Sequence, residues 1–595
     1  MSVRQHINLK VYENNVLSGF LLVRPVWVDD ETVKTCKSCG TSFTPLRRKH
    51  HCRQWQVECT SRNIALPQLG YVKPERICNG CFEIAYLVGY IVSEDKSTQA
   101  HGARGLLDIV ERGNGLSVRD MTSYLMNRTF EPVEQELSNF ITYGGLDALV
   151  YLCRTSQSYD LHYWGTTALA NISGYDSLKP YIIMKGGLQH LYNLILLYFE
   201  KSESSDTSIT IKIMDHISSI VQNIGNILYC LSITDSLCRR MLPDEASLDA
   251  ILKLANFQIG NIVDDDDEDE TLTSYEEMRL RVELAQALAS KTISNLASNH
   301  SHQLLIIESS TGALDRLMSL LRSNVYEVRK YAAKSIAYMS LRNDKYKSIL
   351  IKNGRAEMLA SVVDVEDEAS AKADQVTISH SCCAMANLAT NAESQQFLIR
   401  QPNLLSNLCK MVKYFITDRE VQRHIARLLA NFALYDENKM RMLACQIISV
   451  DDYDMNQSEE SWGSVISTLI AIGDSPVSDV EIHRHIIRAL DNLSTEVPSG
   501  SLSKLSPCIP LINRILETVK DEDIRKRAAH VLNKLTHPPS LLVNGVDGSS
   551  DQQQKHCNGK GSQESGSDFS DQNLIIFDDG DTQQSGLTDD SASSS

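Results

Sequence analysis

Six of the fifteen cysteines lie between Cys36 and Cys81, at spacings that suit metal ligation. Two CxxC pairs, Cys36/Cys39 and Cys78/Cys81, each place two thiolates on a tight turn, as a tetrahedral zinc site requires. Cys52 and Cys59 lie between the pairs. Reduced intracellular thiols do not build disulfide frameworks, so this cluster reads as a metal site. The other nine cysteines, including the pair Cys382–Cys383, are scattered and read as small core residues. Zinc in so short a segment is a staple, and the question is what it holds in place.

The stapled segment is basic. From Lys34 to Arg76 nine basic residues stand against two acidic ones. Arg47, Arg48, Lys49, Arg53 and Arg76 offer charge-assisted donors suited to phosphate. His50 and His51 add imidazoles whose protonation on mild acidification would strengthen capture of an anion.

Three further signatures identify the pattern. Trp27 to Asp30 form WxxD, Arg48 to Arg53 read RKHHCR, and Arg76-Ile77-Cys78 stand for R-V-C. In this order around these CxxC pairs, they resemble a FYVE zinc finger over residues 27–85. The resemblance implies binding of phosphatidylinositol 3-phosphate on early endosomal membranes, and no enzyme activity. It carries the headgroup role to Asp30, Arg47, Arg48, Lys49, His50, His51, Arg53 and Arg76. Pro45 and Leu46 occupy the place of the family's membrane-penetrating turret, where an apolar tip enters the interface beside anionic lipid.

One stretch departs from the family. After Cys52 the chain reads RQWQVECTS, with Trp55 where a fourth cysteine belongs and a fifth cysteine missing. The family's pairing implies one zinc ion on Cys36, Cys39 and Cys59 and another on Cys52, Cys78 and Cys81, each site one thiolate short. Three outcomes follow. A substitute ligand such as histidine or water completes each site, the finger holds zinc poorly and is partly unfolded, or the sequence is a variant form of an intact finger.

The elements that must carry this finger are helical. In 595 residues, 42 % are hydrophobic, 6 % aromatic and only 14 are proline, which supports a large helical core and argues against an all-β chain. Residues 86–539 show apolar i, i+3, i+4 spacing with a recurring Asn-apolar-small ending. It appears as ALANIS, NIGNILYCLS, TISNLAS, AMANLAT, LLANFAL, ALDNLST and VLNKLTH, with KSIAYMS a weaker copy. The markers are Asn171, Asn226, Asn295, Tyr338, Asn387, Asn431, Asn492 and Asn533. Their shorter intervals match the ~40–47-residue period of armadillo and HEAT repeats. A second marker, Gly before an apolar helix start, recurs in YGGLDALVYL, KGGLQHLYNL, TGALDRLMSL and NGRAEMLASV. These residues resemble armadillo repeats, in which each unit buries its apolar face only against its neighbours.

The expected fold class is therefore mostly α: an armadillo/HEAT-like α-solenoid preceded by a small zinc-stapled finger. The expected boundaries are a leader at 1–26, the finger at 27–85, repeats at 86–539 with an acidic insert at 259–274, and a disordered acidic tail at 540–595. The armadillo resemblance places the Asn markers on the inward helix, making Asn171, Asn295, Asn387 and Asn431 candidate contacts for an extended peptide. Asparagine equally serves helix packing.

Net charge is −17, which argues against a protein coated by nucleic acid. The tail, with ten acids and two lysines, and the run DDDDEDE supply most of that deficit. DDDDEDE reads as a solvated loop or a contact for a basic partner. No run reaches the ~20 apolar residues of a membrane span, so the expectation is a cytoplasmic protein peripheral on membranes. No phosphate loop, HExxH helix or nucleophile elbow is present. His424, His530 and Cys382–Cys383 read as structural, and the tail's NLIIF as a docking motif or as noise.

The expected function is a non-enzymatic endosomal adaptor with two zinc ions if the finger is competent, a phosphatidylinositol 3-phosphate membrane and an unidentified protein partner on the solenoid. Nucleic acid is not expected as a partner. The alternatives are a cytosolic armadillo scaffold with a degenerate finger, and a RING-like ubiquitin ligase, in which WxxD and RKHHCR would have no role.

Overall fold

A computed structural model describes residues 22–537 apart from 36–41, 47, 54–56, 59–61, 114–130, 204–208, 261, 264–267, 342–343 and 446–462. The expected disordered tail, and all of the expected leader but 22–26, lie outside the described residues.

The finger is built from two short antiparallel pairs: β1 (His50–His51) with β2 (Val57–Glu58), and β3 (Arg62–Ile64) with β4 (Glu75–Ile77). It closes with helix α1 (Asn79–Ile91). The expected boundary at residue 85 falls inside this helix. Such a small module buries few apolar groups, and its core is Cys52, Leu66, Leu69, Ile77, Cys78, Cys81 and Ala85.

α1 does not stand apart from the repeats. It packs on α2 (Lys96–Gly113), which packs on α3 (Tyr159–Ser173). The α1–α2 crossing is close because Gly102 faces α1: a Cβ there would lie 2.8 Å from Tyr90 Cβ and 2.9 Å from the Leu87 carbonyl. Leu22 and Tyr143 pack on the finger core from outside it, and Arg24 donates to the carbonyls of Leu69 and Gly70 at 2.8 and 2.6 Å.

From α3 the inner row continues through α4 (Ile211–Ser232), α5 (Glu268–Ala297), α6 (Tyr326–Ser340), α7 (Gln375–Leu388), α8 (Arg419–Phe432), α9 (Val480–Leu493) and α10 (Glu522–Thr536), each packed on the next. Every marker read from the sequence sits on its own helix of this row. A second row stacks behind it, including Gly145–Thr155, Gly187–Glu203, Glu245–Ala255 and Ala313–Ser319. The result is an armadillo-like α-solenoid in which each unit is covered by its neighbours.

Local sequence explains the starts of both rows. Asp418, Asp479 and Asp521 cap α8, α9 and α10 by accepting from the backbone N–H of the third residue on. The glycines preceding outer helices take left-handed backbone, with φ of 91° at Gly144, 74° at Gly312 and 82° at Gly354, a region that costs an ordinary side chain energy.

The acidic insert is only partly a loop. Within it β6 (Ile262–Val263) pairs in parallel with β5 (Ile209–Thr210), and α5 begins at Glu268, so residues 268–274 are helical. Acidic residues at a helix N-terminus face the positive end of its dipole, which offsets their mutual repulsion.

Candidate functional site

Three of the six candidate ligands converge. The Sγ atoms of Cys52, Cys78 and Cys81 lie within 4.8 Å of one another, and all three residues are buried. Cys52 and Cys78 sulfurs stand 3.8 and 3.3 Å from that of Cys81. Zn–S bonds of ~2.3 Å at tetrahedral angles place neighbouring sulfurs ~3.8 Å apart, so these positions fit three corners of a zinc site. The Cys52 thiol pushes Cys78 up to about 12 and, with Cys78, raises Cys81 further. Crowded thiolates repel, and a divalent cation would remove that penalty. Cys36, Cys39 and Cys59 lie outside the described residues. Trp55, in the place of a missing ligand, lies outside them too.

The metal set joins two motifs. Cys52 follows β1, whereas Cys78 caps the start of α1 after β4. The backbone N–H of Arg53 donates to the Arg76 carbonyl at 2.9 Å, tying RKHHCR to the β4 motif. Arg76 Nη1 lies 3.1 Å from His50 Nδ1, and Arg53 Nε donates to Glu75 at 2.9 Å.

WxxD acts on the same cluster. The Asp29 carboxylate accepts from Glu31 N–H and starts the turn Asp30–Thr32. That turn aims the Asp30 carboxylate at His51 Nε2, 2.7 Å away, while Lys49 Nζ donates to the Asp30 carbonyl. The Trp27 ring stacks on His51 with centroids 3.8 Å apart and planes 18° from parallel, and the Arg53 guanidinium stands 4.9 Å from the Trp27 ring centre. Asp30, Lys49, His50, His51, Arg53 and Arg76 are thus linked through direct contacts. Arg48 is exposed beside them, and Arg47 lies outside the described residues.

The candidate membrane tip is open: Pro45 is exposed and Leu46 fully so. Val72 is also fully exposed, and Val26 is 86 % exposed. Sequence reasoning passed over both, although apolar residues flanking WxxD and following Gly70-Tyr71 were visible as such.

Three of the four candidate groove asparagines are engaged inside the stack. Asn295 donates to Ser232 Oγ at 2.9 Å. Asn387 donates to Ser340 Oγ at 3.1 Å and accepts from Arg427 at 2.6 Å. Asn431 donates to the Ala386 carbonyl at 2.7 Å and accepts from Arg488 at 2.6 Å. Asn171 is half-buried with its amide unengaged among the described residues. His424 is buried and held neutral by desolvation and by Arg427 and Arg423, whereas His530 is exposed and meets Asp491 at 3.1 Å. Burial raises the thiols of Cys382 and Cys383. No helix among the described residues is long and apolar enough to cross a membrane.

Residues 26–86 match the family description FYVE zinc finger. Over 82 residues the chain is 37 % identical to the lateral signaling target protein 2 homolog of Brugia malayi, covering 13 % of each chain. Over 65 residues it is 40 % identical to the vacuolar protein sorting-associated protein 27 of Mycosarcoma maydis, covering 10 % of this chain and 7 % of that protein. The chain therefore spans about an eighth or less of the length of these relatives. Among solved structures, an engineered protein aligns with 76 % of this chain and 99 % of its own at 21 % identity and a TM-score of 0.41. A designed armadillo repeat protein aligns with 48 % of this chain and 99 % of its own at 21 % identity and a TM-score of 0.35. Residues 26–86 are thus similar to a FYVE zinc finger, and the stacked helical repeats described above follow them.

Proposed function

We propose that this protein is a peripheral adaptor of early endosomal membranes, recruited when its finger binds phosphatidylinositol 3-phosphate, with the solenoid presenting a surface to a protein partner. The observation that carries this reading is the linked set Trp27, Asp30, Lys49, His51, Arg53 and Arg76. In it, WxxD holds the second histidine and the lysine of RKHHCR in place beside the β4 arginine.

The physics favours a phosphorylated headgroup. Lysine, arginine and histidine donors on one short strand and its neighbour give charge-assisted hydrogen bonds to phosphate oxygens. Asp30, at the edge of the cluster, accepts rather than donates, so it suits an orienting role and not a phosphate contact. Leu46 would enter the interfacial layer, where each buried CH₂ contributes ~0.8 kcal/mol. Either term alone gives weak, reversible binding, and the two together restrict stable residence to membranes carrying the headgroup.

Cys52, Cys78 and Cys81 would hold one zinc ion, and Cys36, Cys39 and Cys59 are proposed for a second. A bound ion supplies folding free energy in a module of this size. By joining the end of β1 to the start of α1, the first set fixes RKHHCR against β4.

The direct test is metal analysis of the purified full chain together with liposome flotation. The reading expects bound zinc and flotation that depends on phosphatidylinositol 3-phosphate. Lys49→Ala with His51→Ala should abolish flotation and leave zinc content unchanged. Zinc-free protein that ignores the lipid would contradict the reading and favour a cytosolic scaffold.

A further inference from the structure

Among the described cysteines outside the metal set, two from separate helices meet. Cys409 is buried on the helix Leu404–Tyr414, and Cys445 is half-buried at the C-terminal end of the helix Asp436–Ala444. Both thiols are free, and they hydrogen-bond to each other.

The surrounding contacts hold the pair in place. Arg441, one turn before Cys445, donates to the Ile399 carbonyl at 2.9 Å, and Lys504 donates to the Leu443 carbonyl at 3.2 Å. The end of this helix is thereby tied both to the repeat before it and to the repeat after it. Thr468, on the helix Val465–Asp474, reaches the Cys409 thiol as well. Cys445 itself has left the helix, with extended backbone at φ −66° and ψ 123°, so its side chain escapes the rotamer limits of a helical position.

The two thiols are chemically unequal. The bond from Cys409 holds Cys445 below the ordinary thiol value against the opposing effect of burial, because a donor stabilises the thiolate it faces. The same contact, and then burial, pushes Cys409 well above that value. Burial raises the thiols of Cys153, Cys230, Cys238, Cys382, Cys383 and Cys508. The thiolate is the nucleophilic form, so Cys445 is the reactive member, and its half-buried position admits a small reagent. An accessible thiolate poised next to a second thiol is the arrangement of a redox-sensing cysteine and its resolving partner. Where thiols are kept reduced, the disulfides that do form are transient and regulatory.

We propose that Cys445 and Cys409 are a peroxide-reactive pair that closes into a reversible disulfide. The Cys445 thiolate attacks one oxygen of hydrogen peroxide. The O–O bond breaks, and the departing hydroxide takes up the proton that Cys445 released and leaves as water. Cys445 is then a sulfenic acid. The Cys409 sulfur attacks the Cys445 sulfur, the S–S bond forms, and the S–O bond breaks. The hydroxyl leaves as a second water with the proton of Cys409. The two thiols have lost two electrons, and the peroxide has gained them. Closure shortens a hydrogen-bond contact to ~2.05 Å and clips the helix Leu404–Tyr414 to the end of Asp436–Ala444, across a boundary where repeats otherwise meet only by packing.

The test is peptide mapping by mass spectrometry of the full-length protein, kept in zinc, after brief treatment with dilute hydrogen peroxide. The two cysteines should be recovered in one linked peptide that dithiothreitol releases. Cys230, also half-buried but hydrogen-bonded to Asn226, should stay reduced. In Cys409→Ser the sulfenic acid has no resolving partner, so dimedone should label Cys445 at least tenfold more than Cys230. Cys445→Ser should abolish the link and leave Cys409 reduced. Mapping of the parent needs no substitution, so it decides the matter even where a variant folds poorly. Cys445 reacting no faster than Cys230, a disulfide from Cys445 to a second chain, or its conversion to sulfinic acid with Cys409 still reduced would each overturn the proposal.

Discussion

The Asp30 carboxylate accepts a 2.7 Å hydrogen bond from His51 Nε2, so one acidic residue of WxxD orients the second histidine of RKHHCR. With Trp27 stacked on the opposite motif and Lys49 donating to the Asp30 carbonyl, the turn works as a template for the basic strand. Asp30→Ala should therefore weaken flotation on phosphatidylinositol 3-phosphate liposomes by about tenfold, equivalent to ~1.4 kcal/mol, with the melt unchanged. Asp30→Asn keeps an acceptor and should recover most of the binding. Equal loss in both variants would show that charge, not orientation, is what Asp30 contributes.

Leu46 is fully exposed, and burying a leucine is worth ~1.5–3 kcal/mol. Leu46→Asp should lower liposome binding by tenfold or more. Affinity for a soluble short-chain phosphatidylinositol 3-phosphate, measured by calorimetry, should stay within twofold. A matching loss for the soluble lipid would move Leu46 from membrane contact to headgroup positioning.

Zinc removal should act locally. Three buried thiols within 4.8 Å tie β1 to α1, and α1 packs on α2 through Gly102. Chelation, or Cys78→Ser, should accelerate amide exchange in 50–113 and leave α6 to α10 protected. Uniform protection throughout would mean that metal is not what folds the finger.

The asparagine relay should carry stability. Removing the Asn387 side chain leaves the half-buried Arg427 without its 2.6 Å acceptor, a loss of ~1–3 kcal/mol. Asn387→Ala should lower the denaturation midpoint accordingly, and so should Asn431→Ala through Arg488. Variants as stable as the parent would assign these amides to solvent or ligand.

Acid should destabilise the solenoid through its buried histidines. Burial holds His162 to about 4, and burial with Arg488, Arg427, Arg423 and Arg484 holds His485 to about 3. Both lie below the ordinary value near 6.5, so the unfolded chain takes up these protons first as pH falls. Their contribution is complete above about pH 6.5 and is lost on descending through about 4 and 3, at up to ~1.4 kcal/mol per pH unit for each group. His485→Gln should flatten the fall in the denaturation midpoint below pH 6. An unchanged slope would mean that His485 protonates in the folded state.

Much of this architecture was legible from short-range pattern. Asn-apolar-small endings mark the inner helices because small residues let helices cross closely, and the Gly-apolar starts mark left-handed caps. WxxD, RKHHCR and the outer cysteines gave the finger. What linear pattern could not carry is pairing across distance. Nothing in AHGARGLL says that Gly102 will meet Tyr90, which is what fuses finger to solenoid. The asparagines read equally as groove contacts or as packing residues, and nothing in the linear pattern shows that Asn387 and Asn431 meet arginines 40 and 57 residues away. That spacing becomes visible only when α7, α8 and α9 are stacked. The acidic run read as a loop or a contact for a basic partner, but its last three residues lie in the first turn of a long helix, because charge density alone does not say whether a helix begins there.

The central claim is that the finger recognises a particular headgroup rather than negative charge in general. The most direct measurement compares retention of the full-length, zinc-loaded protein on vesicles of equal surface charge, carrying either phosphatidylinositol 3-phosphate or phosphatidylinositol 4-phosphate. The template of Trp27, Asp30 and His51 predicts at least a tenfold preference for the 3-phosphate, lost in Asp30→Ala. Equal retention on the two vesicles, unaffected by Asp30→Ala, would contradict it.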